Sequence, residues 1–286
     1  MILLASLWGA AFLFVRIAVP EFGALPLSGI RSLVAAFTLV PIMLFKGQGR
    51  DFLKYWPHFI VMGLISTALP FTLINYTTQY TSAGFSSILN AMTPMLSTLV
   101  AWSWLKESLT LAAVIGIILG FLGVIVMVFD DSSISSNVTF LPILAGVGAA
   151  FFYGMTGNYS RKFLTHLPAI TLATACQIFS ALSLLPFCIY LWPAGEITTT
   201  SWICAVILGI FCTSLPFILY FYLLEHVGVA KTVIVTYLIP VFATLSGVLF
   251  LSESISLKMA TGAGFILTGI ALTTGVFSRR KLRHEH

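Results

Sequence analysis

The chain has 286 residues, of which 59% are hydrophobic and only 8% are charged, and it carries a net charge of +5. Soluble globular proteins contain roughly 25% charged residues, because their surfaces must be hydrated. With a mean hydropathy of +1.04, this chain has too few charges to cover a surface that faces water. The composition therefore excludes a soluble globular protein and indicates one whose solvent is the lipid bilayer.

The apolar residues fall into ten segments long enough to be transmembrane helices. A helix needs about 20 mostly apolar residues to cross the hydrocarbon core of a bilayer. The segments are bounded by charged residues, prolines or polar clusters, and their connections are short. They cover residues 2–19, 26–46, 57–78, 82–104, 109–129, 139–160, 168–192, 201–224, 228–251 and 257–277. We therefore predict an all-α integral membrane protein with ten transmembrane helices.

The basic residues predict the orientation of these helices, because cytoplasmic loops are enriched in Lys and Arg. With the N-terminus in the cytoplasm, only Lys258 lies on the outer side, and Arg16 and Arg31 lie within spans. The other basic residues are then cytoplasmic: Lys46, Arg50, Lys54, Lys106, Arg161, Lys162, Lys231, Arg279, Arg280, Lys281 and Arg283. Both termini are predicted to be cytoplasmic, and residues 279–286 form a basic cytoplasmic tail. This topology accounts for the positive charge, so nucleic-acid binding is not predicted.

The cysteines and histidines give no indication of a metal or cofactor site. The histidines lie in loops or at span ends, and no two cysteines form a CxxC pair. The cysteines lie inside apolar segments, where a thiol behaves as a small hydrophobic group: Cys176, Cys188, Cys204 and Cys212. We expect four buried thiols, no bound metal and no cofactor.

The sequence contains an internal repeat. A shift of 146 residues aligns residues 63–123 with 209–269 without a gap, and it matches prolines, glycines and a Glu-Ser pair that apolar composition alone does not match. The matches include Gly63/Gly209, Pro70/Pro216, Tyr76/Tyr222, Pro94/Pro240, Glu107/Glu253, Gly116/Gly262 and Gly123/Gly269. The Gly-Ala-Ala-Phe segments at 9–12 and 148–151 match at a different offset.

Each half contains five spans, an odd number, so the second half should cross the membrane in the opposite orientation. We predict a first five-helix repeat over residues 1–131 and an inverted repeat over 132–278, followed by the tail 279–286. Inverted repeats are typical of many secondary transporters, whose substrate site lies near the membrane midplane between the repeats.

The repeated segments resemble the EamA-type transporters of the drug/metabolite transporter superfamily. The resemblance rests on WGAAFLFVR (8–16), the LPF pairs in spans three and eight, the mid-span prolines of spans four and nine, LKESLT (105–110) and LSESIS (251–256). It implies a bacterial inner-membrane carrier of amino acids, nucleosides, other metabolites or drugs. It also implies a cavity between spans one, three, four, six, eight and nine, with spans five and ten as packing helices.

Polar and aromatic residues at lipid depth are candidates for the cavity wall, because polar groups there usually face the protein interior. The repeat carries Asn90 to Thr236, so spans four and nine present a polar stripe at the same place. Serine and threonine also bridge membrane helices, whereas the carboxamide of Asn90 favours a cavity. The candidate substrate-binding residues are Trp8, Phe12, Tyr76, Asn90, Tyr153, Tyr220, Tyr222, Thr236 and Tyr237.

The arginines and prolines within the spans each have two interpretations. Arg16 and Arg31 either extend to the surface and pair with Glu21, or form a vestibule that attracts anions or anchors a carboxylate. Proline bends a helix, so the four mid-span prolines either act as hinges or shape a curved bundle. These prolines are Pro70, Pro94, Pro216 and Pro240.

Together these patterns predict a secondary transporter that moves small metabolites by alternating access. Amino acids are the first candidates, because the pocket residues are neutral, hydrogen-bonding and aromatic. A drug, nucleoside or vitamin transporter of the same fold is the alternative. A channel or an intramembrane enzyme is a more remote alternative, because neither a filter nor a catalytic motif is evident. The resemblance implies a further exclusion: the small multidrug members of the superfamily use a membrane-embedded carboxylate to exchange protons for cationic drugs, and no carboxylate lies mid-span here, so that mechanism is disfavoured.

Small residues predict close helix contacts in spans five and ten. Gly116 and Gly120, and likewise Ala260 and Gly264, have the four-residue spacing that lets membrane helices approach closely. These contacts could join the two halves of a monomer or the protomers of a homodimer. The expected partners are a small-molecule substrate and the lipid bilayer.

Overall fold

A computed structural model describes residues 1–49, 52–129, 140–227 and 234–274 of the chain. The described chain is a bundle of helices, and the core lies between them. The predicted tail 279–286 and the predicted boundary between repeats at 131/132 lie outside the described residues. The all-helical architecture predicted from the hydropathy pattern is confirmed.

The helices of the first half follow the first five predicted spans. They are α1 (Ile2–Phe22), α2 (Ala24–Phe45), α3 (Phe52–Gly63), α4 (Leu69–Tyr80), α5 (Ala83–Asn90), α6 (Thr93–Leu105) and α7 (Leu111–Val128). A π-helical turn, Leu64–Ala68, joins α3 to α4 without leaving the helix axis. The fourth predicted span is divided at Ala91–Met92, between α5 and α6.

The described elements of the second half follow the same order, except that one continuous helix takes the place of the end of α5, the division at Ala91–Met92 and α6. They are α8 (Leu141–Phe163), α9 (Ala169–Tyr190), α10 (Thr199–Gly209), α11 (Leu215–Val227), α12 (Ile234–Leu251) and α13 (Leu257–Thr273). A second π-helical turn, Ile210–Ser214, joins α10 to α11. Six described helical segments are long and apolar enough to cross a membrane: Ile2–Phe22, Ala24–Phe45, Lys54–Tyr80, Leu111–Val128, Ala169–Tyr190 and Thr199–Tyr220. The chain is therefore a multi-pass membrane protein.

The 146-residue shift also relates unusual local structures. The two π-helical turns, 64–68 and 210–214, are separated by that shift. So are the non-glycine residues with positive φ, Lys106 (59°) and Ser252 (54°), each directly after a helix. A left-handed residue is a common way to end a helix, but it is costly for residues other than glycine. The equivalent sequence segments thus adopt equivalent, uncommon backbone geometry.

The four prolines do not interrupt helices in the same way. Pro94 is the second residue of α6, which begins after the division at Ala91–Met92, so this proline has no helical hydrogen bond to lose. Pro70 and Pro216 directly follow the π-helical turns, inside the continuous helical segments Lys54–Tyr80 and Thr199–Tyr220. Pro240 lies in the interior of α12. Whether they act as hinges stays a prediction.

Helices α7 and α13 make the closest backbone contact through four glycines. Gly116 lies against Gly269, and Gly123 lies against Gly262, so that a β-carbon on any of them would overlap the carbonyl oxygen of its partner. The repeat relates Gly116 to Gly262 and Gly123 to Gly269, so the contact is reciprocal, as in a two-fold interface. The prediction for span five is confirmed in part, because the backbone of Gly120 also lies against Gly269, although a β-carbon on Gly120 would meet Met95. The prediction for span ten was wrong, because Ala260 and Gly264 are exposed and point away from α7.

A second pair of contacts corrects the alignment of the first span with the sixth. Gly9 of α1 lies against Phe242 and Ala243 of α12, and Gly154 of α8 lies against Leu96 and Ser97 of α6. The shift of 146 carries 96–97 to 242–243, so Gly154 is the structural counterpart of Gly9. The match of Gly-Ala-Ala-Phe at 9–12 with 148–151 is therefore wrong by six residues.

We predict that Gly116→Val destabilises the protein by about 1–3 kcal/mol, because the added side chain overlaps the backbone of α13. The melting temperature of purified protein in detergent measures this loss. Gly264→Val on α13 is the matched control, since a β-carbon there has no atom within 4 Å. Equal melting temperatures for the two variants would contradict the packing described here.

Candidate functional site

A cavity of about 290 Å³ lies within the helix bundle. Helices α1, α2, α4, α5, α6, α8, α11 and α12 and both π-helical turns contribute to its wall. Its aromatic residues are Trp8, Phe12, Phe71, Tyr153, Phe217 and Tyr220. Its polar residues are Arg31, Ser66, Ser87, Asn90, Thr93, Thr156 and Thr236. The cavity thus combines apolar ring faces with hydrogen-bonding groups, as small-molecule sites do.

The wall coincides with the interruptions in regular helix. Ser66 and Cys212, from the two π-helical turns, both line the cavity, and so does the segment from Asn90 to Pro94 at the division between α5 and α6. Regular helix uses its backbone polar groups internally, whereas a π turn or a break leaves some of them for other partners. The interruptions therefore supply polar backbone next to the cavity.

Hydroxyl groups satisfy the carbonyl groups around these turns. Thr213 Oγ1 donates to Leu208 O at 2.8 Å, and Ser214 Oγ donates to Gly209 O at 3.0 Å. In the other half, Thr156 of α8 donates to Ile65 O within the π-helical turn at 3.0 Å. These bonds hold the irregular wall in place.

Arg31 is a buried cation in the cavity wall. It lies seven residues into α2, about 10 Å along the axis from the helix start, and only 6% of it is exposed. Its Nε donates to Thr213 Oγ1 at 2.8 Å and its Nη2 donates to Cys212 O at 3.3 Å. Its guanidinium carbon lies 3.7 Å from the ring centre of Phe71.

Arg31 therefore neither extends to the surface nor pairs with Glu21, so the first interpretation of this residue was wrong. Glu21 instead accepts hydrogen bonds from the backbone N–H and the hydroxyl of Thr198. Arg16 also lies away from Glu21, because its Nη1 donates to the carbonyl oxygens of Thr78 and Gln79 at the end of α4. Arg16 does not line the cavity, whereas Arg31 does. The two arginines do not form a common vestibule.

Asn90 offers an acceptor at the last turn of α5. Its carboxamide oxygen is buried, and no described residue donates a hydrogen bond to it. A buried polar atom without a partner costs about 1–3 kcal/mol, so such atoms are uncommon unless a ligand or water binds them. Asn90 is thus suited to accept from an N–H or O–H group in the cavity.

The structure brings together six of the nine candidate substrate-binding residues: Trp8, Phe12, Asn90, Tyr153, Tyr220 and Thr236. The rings of Trp8 and Tyr220 lie 5.7 Å apart and connect α1 to α11. Pro94 also lines the cavity, whereas Pro70, Pro216 and Pro240 do not. The role of the six residues in binding stays a prediction.

Tyr76, Tyr222 and Tyr237 lie outside the cavity wall, so their predicted place was wrong. Tyr76 packs on Tyr80, Tyr222 is 57% exposed, and Tyr237 hydrogen-bonds to Thr274 at 2.6 Å. Helical periodicity gives the reason, because each residue turns the side chain by about 100°. Tyr222 is two residues beyond a cavity residue of α11, and Tyr237 is one residue beyond a cavity residue of α12.

Several wall residues were not predicted from the sequence. Phe71 and Phe217 end the two LPF segments, and that repeated motif was a signal that could have identified them. Ser66 and Cys212 are equivalent under the same shift, and the π-helical turns place both in the wall. For Thr156 the sequence offers no comparable signal.

A smaller cavity of about 180 Å³ lies between α6 and α8 and contains polar residues. There Glu107 and Arg161 form an ion pair, and Nδ2 of Asn158 lies 2.9 Å from Ser97 O and 2.9 Å from Gly154 O. The bond to Ser97 and the ion pair fasten α8 to α6 and to the residues that follow it, whereas Gly154 belongs to α8 itself. No group of His, Cys, Asp or Glu in the described parts of the chain could hold a metal ion.

The sequence matches the model of the EamA-like transporter family over residues 1–129 and 140–275. The chain belongs to the EamA-like transporter family. The resemblance seen in the repeated segments is confirmed, and the protein is a membrane transporter.

Relatives and a solved structure extend over nearly the whole chain. The uncharacterized transporter YvbV of Bacillus subtilis (strain 168) is 26% identical over 276 residues, covering 94% of this chain and 88% of its own. An uncharacterized transporter of Archaeoglobus fulgidus is 25% identical, covering 94% of this chain and 95% of its own. A crystal structure with 22% identity and a TM-score of 0.63 covers 96% of this chain and 98% of its own. At that identity it supports the shared fold.

We predict that Asn158→Ala lowers the free energy of unfolding by about 1–3 kcal/mol, because it removes donors that join two helices. Asn90→Ala is the comparison, since the oxygen that it removes receives no hydrogen bond from the described residues. Thermal melts of both variants should show a clear loss for Asn158→Ala and little change for Asn90→Ala. A larger loss for Asn90→Ala would assign that residue to helix packing.

Proposed function

We propose that the protein is a secondary transporter that moves small metabolites, with amino acids as the first candidates, by alternating access. The observation that carries this proposal is the cavity within the membrane helices, whose wall combines Arg31 and Asn90 with six aromatic rings. An amino acid has a carboxylate, an ammonium group and a side chain of variable polarity. The wall offers a cation, an acceptor and apolar surface that suit these three parts.

Differences between equivalent segments support alternating access. The shift of 146 carries Ala91–Met92, where α5 and α6 are divided, to the interior of the continuous helix α12. Two halves with the same sequence pattern thus adopt different shapes. In an inverted repeat, exchange of these shapes between the halves would open the cavity to opposite sides of the membrane.

The charged residues at the helix ends show a similar difference. The counterparts Gly9 and Gly154 relate Arg16 to Arg161, and the 146-residue shift relates Glu107 to Glu253. Arg161 pairs with Glu107, whereas Arg16 donates to carbonyl oxygens of α4. Glu253 accepts from the N–H of Ala83 at 2.9 Å. Equivalent charges therefore have different partners in the two halves. This difference supports an ion pair that closes one membrane face at a time, Arg161 with Glu107 at one face and Arg16 with Glu253 at the other.

The proposed location is a bacterial inner membrane with both termini in the cytoplasm. The distribution of Lys and Arg supports this orientation, because it leaves only Lys258 on the outer side. Nucleosides, vitamins and amphipathic drugs are alternative substrates of the same cavity, and the transport assay discriminates between them and amino acids.

Counterflow in proteoliposomes tests the proposed function. Vesicles preloaded with a mixture of amino acids are challenged with single labelled amino acids without an imposed ion gradient. We expect saturable accumulation of the label that empty vesicles do not show. A lack of accumulation by folded, reconstituted protein would contradict the amino-acid assignment, and accumulation of nucleosides or vitamins would favour the alternatives.

Within the same assay, we predict that Asn90→Ala lowers the counterflow rate by about tenfold. Loss of one hydrogen bond to a charged group costs about 1.5 kcal/mol, which corresponds to that factor. Size-exclusion profiles and melting temperatures should stay close to those of the unaltered protein. Tyr222→Phe is the control, because this tyrosine lies outside the cavity. Equal rates for both variants would exclude Asn90 from the transport site.

A further inference from the structure

The charge of Arg31 has no carboxylate partner among the side chains that the structure describes. Glu107 pairs with Arg161, Glu253 accepts from the backbone of Ala83, and Glu21 accepts from Thr198. None of these glutamates lines the cavity. Removing a cation from water is costly unless an anion compensates it. A cation that is only 6% exposed and faces a cavity is therefore suited to receive an anion from outside the chain.

The guanidinium is held in one orientation by three contacts. Thr213 accepts from Nε, the carbonyl of Cys212 accepts from Nη2, and the ring of Phe71 covers one face. Thr213 is itself fixed, because its hydroxyl donates to Leu208 O. A group held this way loses little further freedom when a ligand binds, which favours affinity.

Part of the guanidinium stays available for a ligand. Arginine has five N–H donors in a planar fork, and its hydrogen bonds to described residues use Nε and Nη2 only. Both N–H groups of Nη1 and the second N–H of Nη2 are left for an acceptor in the cavity, and one N–H from each of these two nitrogens forms a parallel pair. A carboxylate matches this fork better than a neutral carbonyl does, because it offers two charged oxygens in one plane.

A second, independent observation points to a ligand in the same cavity. The buried oxygen of Asn90 receives no hydrogen bond from the described residues, although Asn90 lines the same cavity. It can accept from an amino group of a molecule whose carboxylate contacts Arg31. Trp8, Tyr153 and Tyr220 add ring surface for an apolar portion of that molecule.

We propose that the cavity selects small organic carboxylates, that Arg31 determines this selectivity by binding the carboxylate, and that Asn90 accepts from an amino group where the ligand has one. This proposal deepens the proposed function, since it rests on the cavity being the transport site. It assigns recognition of the carboxylate to Arg31 and recognition of the amino group to Asn90.

Binding of three related probes to the purified protein in lipid nanodiscs tests the proposal. L-Phenylalanine carries both charged groups, 3-phenylpropionate lacks the amino group, and phenethylamine lacks the carboxylate. Calorimetry should give saturable binding of the two carboxylates and at least tenfold weaker binding of phenethylamine. Binding of phenethylamine as tight as that of the carboxylates, or a lack of binding by all three probes, would overturn the proposal.

Variants then test the role of each residue. Arg31→Gln should weaken both carboxylates at least tenfold and leave phenethylamine unchanged. Arg31→Lys keeps the charge but not the fork, so it should restore part of the preference for carboxylates. Asn90→Ala should weaken L-phenylalanine but not 3-phenylpropionate. A merely structural role of Arg31 would weaken all three probes alike, and that result would also overturn the proposal.

The control is Lys46→Gln, which removes an exposed cation at the end of the helix that holds Arg31 without changing the cavity wall. It should bind the carboxylates as the unaltered protein does. Counterflow separates the two proposals. If substrates without a carboxylate are exchanged at equal rates by the unaltered protein and by Arg31→Gln, the transporter function is supported and the carboxylate selectivity is refuted. If carboxylates bind in an Arg31-dependent way but are not exchanged across vesicles, the selectivity is supported and the transporter function is refuted.

Discussion

The structure depends on one constraint, that backbone N–H and C=O groups within a bilayer must find hydrogen-bond partners inside the protein. Hydrocarbon offers none, so a spanning chain adopts helices, which satisfy these groups locally. Departures from regular helix are tolerated only where the protein or a polar cavity supplies partners. In this chain the two π-helical turns and the division at Ala91–Met92 all contribute residues to the cavity wall. The position of the site thus follows from where the backbone requirement is relaxed.

The same constraint explains why the wall is polar although the chain is not. The hydroxyls of Thr213 and Ser214 satisfy carbonyl groups that precede one π-helical turn. A carbonyl within each turn is satisfied from another helix, Ile65 O by Thr156 and Cys212 O by Arg31. These side chains have a structural function and are also the surface that a substrate would meet. Stability and recognition are therefore coupled at this wall.

The glycine contact between α7 and α13 has the opposite character. It is regular and reciprocal, and the hydroxyl of Thr273, next to Gly116, donates within its own helix. The close approach is stabilised by dispersion contacts between backbones. Substitutions there should change stability without changing the chemistry of the cavity. A close glycine contact next to an irregular wall suits the proposed alternating access, in which the halves would stay together while the cavity opens to one side or the other.

Hydropathy was sufficient to predict the helical segments, because lipid accepts only long apolar segments, but it did not predict the division of the fourth span at Ala91–Met92. The repeat was sufficient to indicate that the two halves share local geometry, since equivalent residues such as Lys106 and Ser252 adopt the same uncommon φ. Side-chain direction was less predictable. Tyr237 and Thr236 are neighbours in sequence, but a rotation of about 100° separates them, and only Thr236 faces the cavity. The wrong alignment of the two Gly-Ala-Ala-Phe segments has another cause, because short motifs of small apolar residues recur by chance in a chain of this composition. The packing contacts instead identify Gly154 as the counterpart of Gly9.

Arg31 shows where the two halves differ for a chemical reason. Gly63 lies against Phe179 of α9, and its equivalent Gly209 lies against Val34 of α2. Val34 and Phe179 are therefore counterparts, 145 residues apart, and the same separation relates Arg31 to Cys176. The counterpart of the cation is thus a buried thiol. Two arginines would double the cost of burying charge and would repel each other in a cavity of about 290 Å³. Under the proposed alternating access, one cation between the halves would serve both access states, because the substrate would stay near it while the helices around it exchange shapes. A single charge in a repeated fold is therefore consistent with a site that is shared by the two halves.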